Sequence, residues 1–265
     1  MFCLHGVLGD ANDYFNLAND LDQIVPVYGV VARTAKNYHG TLIAEFIRDI
    51  RKAQPTGPYR IAGYSFGGSP AFIVAQRLYD DGEDVTLFLI DSYRMSYGIL
   101  AHTWLPRLRR AIAVRDLFGA VSRKIDVFCN RELPSLLTGR EANLTQRLIR
   151  ALCSTRYAPF RGRAILFQCT RNDSAHAWSL KLDGLNGWSR LLAGQTEVVP
   201  IDVDHLNLLK RSHIPALIGL MIERLVKETA PLRGSAPLRV FAPSRPKTSF
   251  CPTDPVRVST GKDLR

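Results

Sequence analysis

Tyr59-Arg60-Ile61-Ala62-Gly63-Tyr64-Ser65-Phe66-Gly67-Gly68-Ser69 decides how this chain is read. A short apolar run, 59–62, enters Gly63-Tyr64-Ser65-Phe66-Gly67, and a helical pattern follows with Ala71, Val74, Ala75 and Leu78 on one face. G-x-S-x-G alone occurs in ordinary loops. With a strand before it and a helix after it, it reads as a nucleophile elbow, a tight turn that holds the serine in a strained backbone conformation. The flanking glycines remove the Cβ atoms that would collide in such a turn. The Ser65 hydroxyl is then held out at the carboxyl end of a strand.

Outward from the elbow, apolar runs at 2–4, 25–31, 85–90, 164–168 and 196–201 are rich in Val, Ile, Leu and Phe and bounded by turn residues. They read as buried strands. Helical periodicity fills the intervals, with Leu42, Phe46 and Ile50 before the elbow and an amphipathic stretch over 214–226. Alternating strands and helices predict an α/β domain, a mainly parallel sheet with helices on both faces. Between Asp91 and Ala164 the alternation stops, and Leu105, Leu108, Ile112, Leu144, Leu148 and Leu152 take apolar positions of a helical pattern. That stretch is too long for a plain connection and starts at a strand's carboxyl end, so it predicts a helical lid over about 94–163. One domain over 1–227 is expected. Beyond it, 228–265 turns basic and proline-rich, with Pro231, Pro237, Pro243, Pro246, Pro252 and Pro255, a composition that predicts disorder.

The net charge of +11 is uneven: residues 1–93 carry −4, residues 94–163 carry +10, and the tail from 227 carries +5. A basic segment of this kind is either a solvated face or an attractor of an acidic partner. Nucleic acid is disfavoured as that partner, because neither zinc-finger spacing nor an RNP-like aromatic motif accompanies the arginines. No apolar run approaches membrane-spanning length, and the stretch from Phe2 to Leu8 is broken by His5 and Gly6 with no basic residue before it, unlike a secretory signal. The five cysteines (Cys3, Cys129, Cys153, Cys169 and Cys251) are odd in number and widely spaced, which argues against a disulfide framework and suits a reducing cytoplasm. Neither a His-Glu-x-x-His motif nor clustered carboxylates suggest a metal.

A serine hydroxyl becomes a nucleophile when a histidine takes its proton, and the histidine needs a carboxylate to set its tautomer and stabilise the imidazolium. His205 is the best-placed base, in Asp202-Val203-Asp204-His205 just after the last predicted strand. Two acids are candidates: Asp91 directly ends the run 85–90, and Asp173 lies in a polar loop after the next strand. Asp91 is favoured because it abuts a strongly apolar strand. Asp202 and Asp204 are too close in sequence to His205 to orient it from another strand. An oxyanion needs backbone donors. The Phe66 amide supplies one, and Val7, in His5-Gly6-Val7-Leu8-Gly9 after the first strand, is the choice for the second. His5 reads as a loop-shaping residue.

Four stretches carry a family resemblance, in order: Phe-Cys-Leu-His-Gly-Val-Leu-Gly from Phe2, Gly-Tyr-Ser-Phe-Gly-Gly from Gly63, Leu-Ile-Asp-Ser-Tyr from Leu89 and Asp-His-Leu-Asn-Leu-Leu from Asp204. Over roughly 1–226 the chain resembles the thioesterase domains of nonribosomal peptide synthetases and polyketide synthases, within the α/β-hydrolase superfamily. The resemblance implies the α/β-hydrolase fold with a lid, the acid at Asp91, the base at His205 and the second oxyanion donor at Val7. It also implies an acyl or peptidyl chain delivered on the phosphopantetheine thiol of a carrier protein, with no cofactor of the domain's own, and released to water or to an internal nucleophile. Arg107, Arg109, Arg110, Arg123 and Lys124 in the lid are then expected to steer an acidic carrier. A small-molecule carboxylesterase would share the triad and need no carrier surface; a catalytically silent binding module is the reading from another class.

Overall fold

A computed structural model describes residues 1–6, 9–22, 24–32, 42–94, 151–171, 184–229 and 256–257. The strands are β1 (Phe2–Leu4), β2 (Tyr28–Val30), β3 (Tyr59–Tyr64), β4 (Val85–Ile90), β5 (Arg163–Cys169), β6 (Thr196–Ile201) and β7 (Val256–Arg257). They form one sheet in the order β6-β5-β4-β3-β1-β2-β7, parallel throughout except for β7, which pairs antiparallel with β2. The helices are α1 (Phe15–Leu21), α2 (Ile43–Ala53), α3 (Gly68–Asp80) and α4 (Ile214–Thr229).

Period-two alternation in the central strands divides the core into two layers. Phe2, Leu4, Ile61, Leu87, Leu89, Ala164 and Leu166 face one side, where Phe46 and Ile50 of α2 and Ala71, Val74, Ala75 and Leu78 of α3 cover them. Cys3, Ala62, Phe88, Ile90, Ile165 and Phe167 face the other, covered by Leu17 and Leu21 of α1 and by Leu217, Met221 and Leu225 of α4. β4 is buried at every position, as a parallel strand with helices on both faces must be.

The layers also locate the crevice. The chain leaves β1 through α1 on one face and leaves β3 through α3 on the other, although β1 and β3 are hydrogen-bonded neighbours. Connections that diverge from adjacent parallel strands open a cleft at their carboxyl ends, where α/β proteins bind ligands.

Three predicted strands have other bounds in the structure, β5 by one residue at each end (Arg163–Cys169 for 164–168). The predicted strand 25–31 narrows to Tyr28–Val30 because Pro26 has no N–H to give a ladder, although Val27 stays buried beside it. β3 runs two residues past the predicted 59–62, since Gly63 and Tyr64 still pair with Leu89 and Ile90. The closing helix extends to Thr229, two residues past the expected domain end at 227. β5 starts at Arg163, which brings the end of the insertion to 162. The insertion's described parts are a helical turn at 151–154 and the segment leading to β5; its basic residues Arg107, Arg109, Arg110, Arg123 and Lys124 lie outside the described residues, as does the tail apart from 228–229 and 256–257.

Candidate active site

Ser65 follows β3 at the cleft with φ of +53°, a left-handed conformation that a non-glycine residue adopts only when its surroundings impose it. Here the surroundings are backbone. A Cβ on Gly63 would come within 2.2 Å of the Gly67 carbonyl oxygen, and one on Gly67 within 2.6 Å of the Leu4 carbonyl oxygen. Gly68 opens α3 against the Asp91 turn so tightly that a Cβ would overlap the Ser92 side chain. All three glycines are therefore required by close approach, and the turn packs at once against β3, β1 and the end of β4.

Asp91 follows β4, also at positive φ (+41°), and is fully buried. Its amide continues the β4–β5 ladder by donating to the Phe167 carbonyl at 2.7 Å, and its Oδ1 accepts from the Cys169 amide at 3.0 Å. The turn beyond it is braced by the Trp188 indole, which donates to the Ser92 carbonyl at 3.0 Å. A buried carboxylate without such donors would carry a heavy desolvation cost.

His205 lies beyond β6, in a 3-10 turn capped by Asp204, whose Oδ1 accepts the Asn207 amide at 3.0 Å. Its Nε2 stands 2.8 Å from Ser65 Oγ, and its Nδ1 stands 2.7 Å from Asp91 Oδ2. With Nδ1–H donated to Asp91, Nε2 is left as the acceptor for the serine proton. Ser65, His205 and Asp91 thus meet in one hydrogen-bonded line. Asp202 turns away to a bidentate pair with exposed Arg171, at 2.7 and 2.8 Å, and Asp204 is occupied by its cap. Both acidic neighbours in sequence are engaged elsewhere.

Phe66 occupies the 3-10 turn Ser65–Gly67 immediately before α3. Val7 and the second acid candidate, Asp173, lie outside the described residues. His5 is fully buried, donates Nδ1–H to the Gly6 carbonyl at 2.6 Å and stands edge-on to Phe46, in keeping with a loop-shaping role. Burial pushes its pKa down to about 4, so it is neutral at ordinary pH.

Two tyrosines at the site carry no functional signal that the sequence sets apart. Tyr14 donates its hydroxyl to the Leu4 carbonyl at 2.8 Å and accepts the Tyr64 amide at 2.7 Å, bridging β1 and β3 where their ladder ends. Tyr64 lies against His205. Their only sequence signals are an aromatic before the α1 pattern and one inside the elbow.

A model of the thioesterase domain matches residues 1–225. The chain belongs to the thioesterase-domain family. Among curated relatives of this thioesterase domain, malpibaldin synthetase of Mortierella alpina is 38% identical over 108 residues, which are 38% of this chain and 2% of that protein. The dimodular nonribosomal peptide synthase of Bacillus subtilis (strain 168) is 25% identical over 254 residues, 86% of this chain and 10% of that protein. The chain therefore spans a small fraction of the relatives it matches. Among solved structures, the NocB thioesterase domain in covalent complex with a fluorophosphonate nocardicin G analog superposes with a TM-score of 0.58 at 22% identity. That match covers 85% of this chain and 93% of the NocB chain, and it shows the shared α/β-hydrolase fold. Family membership makes the domain a hydrolase acting on thioester bonds.

Proposed function

We propose that this thioesterase domain releases an acyl or peptidyl chain from the phosphopantetheine thioester of a carrier protein through a Ser65 acyl-enzyme. The observation that carries the proposal is the line Asp91 Oδ2, His205 Nδ1, His205 Nε2, Ser65 Oγ, with both gaps at hydrogen-bond distance, 2.7 and 2.8 Å. His205 Nε2 takes the serine proton as Oγ attacks the acyl carbon, and the imidazolium is stabilised by Asp91 at Nδ1. The oxyanion that forms is assigned to the amides of Phe66 and Val7. The C–S bond then breaks, His205 returns the proton to the departing thiolate, and the acyl group remains on Ser65. Water, or a hydroxyl or amine of the chain itself, enters by the reverse sequence, with His205 as base; this gives hydrolysis or cyclisation. The pantetheine belongs to the partner, and no cofactor of the domain's own enters these steps. The kinship with very long synthetases supports a carrier partner.

Ser65→Ala tests the reading directly. It should abolish fluorophosphonate labelling and lower turnover of carrier-bound thioesters by about 10⁴-fold or more, with an unchanged thermal midpoint. A folded variant with wild-type turnover would refute the assignment. Mass analysis of products from a thioester panel separates acid from macrocycle, and turnover of free esters alone would point to a carboxylesterase.

A further inference from the structure

The face of the His205 ring is covered by the residue that precedes the nucleophile. Tyr64 and His205 lie nearly parallel, with ring centroids 4.9 Å apart and planes 19° from each other. The Tyr64 hydroxyl donates to the His205 carbonyl at 2.6 Å. We propose that Tyr64 is a positioning residue for the base, holding the imidazole by its ring and the base turn by its hydroxyl so that nucleophile and base form one unit. The inference rests on the triad reading above.

Position in the fold supports it. The Tyr64 backbone is tied on both sides, since it pairs with Ile90 in the β3–β4 ladder and gives its amide to Tyr14, itself bonded to Leu4 of β1. The residues after Tyr64 and Ile90 are Ser65 and Asp91. His205, by contrast, has left its strand and stands on a short 3-10 turn whose cap involves Asp204 and Asn207. Tyr64 reaches from the rigid side to that turn at two points. The contact is also chemically matched to the reaction, because an electron-rich ring face stabilises the imidazolium that appears when Nε2 takes the serine proton. A tyrosine that only filled the apolar layer would require neither the parallel ring nor the bond to His205.

Several other groups act on the His205 charge: Asp91 at Nδ1, Tyr93 with its ring 6.0 Å away, Asp13 before α1 and Asp204 beside it in sequence. Cys169 at the end of β5 touches Asp91. All remain when Tyr64 alone is changed, so a shift in the His205 titration between variants reports on Tyr64.

The experiment measures fluorophosphonate labelling and thioester turnover against pH for the wild type, Tyr64→Phe and Tyr64→Leu. Phenylalanine keeps the ring and loses the hydroxyl bond; kcat should fall about tenfold with KM and the midpoint of the acidic limb unchanged. Leucine keeps an apolar side chain and loses the ring; kcat should fall about 100-fold, and the midpoint should move down by about half a pH unit because the imidazolium loses its π partner. The restored midpoint in the phenylalanine variant is the signature of a ring acting on the base. A leucine variant that folds, turns over within twofold of wild type and keeps its midpoint overturns the inference, as does a change confined to KM. If the leucine variant does not fold, the phenylalanine variant decides: tenfold lower kcat at constant KM supports the inference, and an unchanged rate overturns it. Failure of the wild type itself to label would overturn the triad reading instead.

Discussion

Ser65 and Asp91 leave adjacent, paired strands one residue beyond the Tyr64–Ile90 register pair, whereas His205 arrives on a turn beyond the edge strand β6. On the strand side, geometry is imposed by backbone: glycine clearances that tolerate no Cβ, ladder bonds continuing to the Asp91 amide, and two residues held at positive φ. On the base side it is imposed by side chains, chiefly the Asp204 cap, the Tyr64 stack and the Asp91 hydrogen bond. The contrast assigns different vulnerabilities to the two sides. Substitutions among the strand-side glycines should cost fold stability, and substitutions around His205 should cost catalysis in a stable domain.

The largest effect that sharpens this contrast concerns the junction itself. Asp91→Asn keeps the shape and the acceptor for the Cys169 amide but presents the wrong partner to Nδ1, so kcat should drop about 10⁴-fold. The thermal midpoint should change little. Asp173→Asn, measured beside it, should be mild, and the reverse ranking would transfer the acid's role. Gly63→Ala comes next and should act on the other side of the contrast. Its Cβ meets carbonyl backbone at 2.2 Å, which forces the elbow to move and should cost about 3 kcal/mol. Thermal melting would read this as a fall of roughly 6–12 °C. A Gly63→Ala protein that melts like wild type would break the picture of a backbone-imposed nucleophile. The smallest effect concerns the basic stretch of the insertion after Asp91. Neutralising Arg107, Arg109 and Arg110 together should raise KM for carrier-bound substrate several-fold and flatten its salt dependence, leaving small free thioesters untouched. Equal losses on both substrates would assign those side chains to the fold of that stretch or to the acyl pocket.

The strand side was also the legible side. Gly63, Ser65 and Gly67 announce themselves because the constraint they satisfy is local, a turn too tight for Cβ. Asp91 stands out in the sequence because it directly ends an unbroken apolar strand, and His205 because it follows the last one. The contacts that hold the base could not be read in the same way. Tyr64 meets His205 across 141 residues of sequence, and Tyr14 meets Tyr64 across 50. Nothing in the local pattern distinguishes these tyrosines from core aromatics. Pro26 shows the opposite error: a run of branched residues reads as strand from 25, but one missing N–H delays the start of the ladder to Tyr28.

The positive φ at Ser65 also restricts which chemistry this scaffold can host. Threonine carries the same hydroxyl, yet its second Cβ substituent makes a φ of +53° a severe outlier, so the two alcohols are not interchangeable here. Cysteine, unbranched at Cβ like serine, has no such obstacle. The elbow backbone therefore admits at this position a side chain carried on a single methylene and excludes one branched at Cβ, and it does so before any substrate arrives.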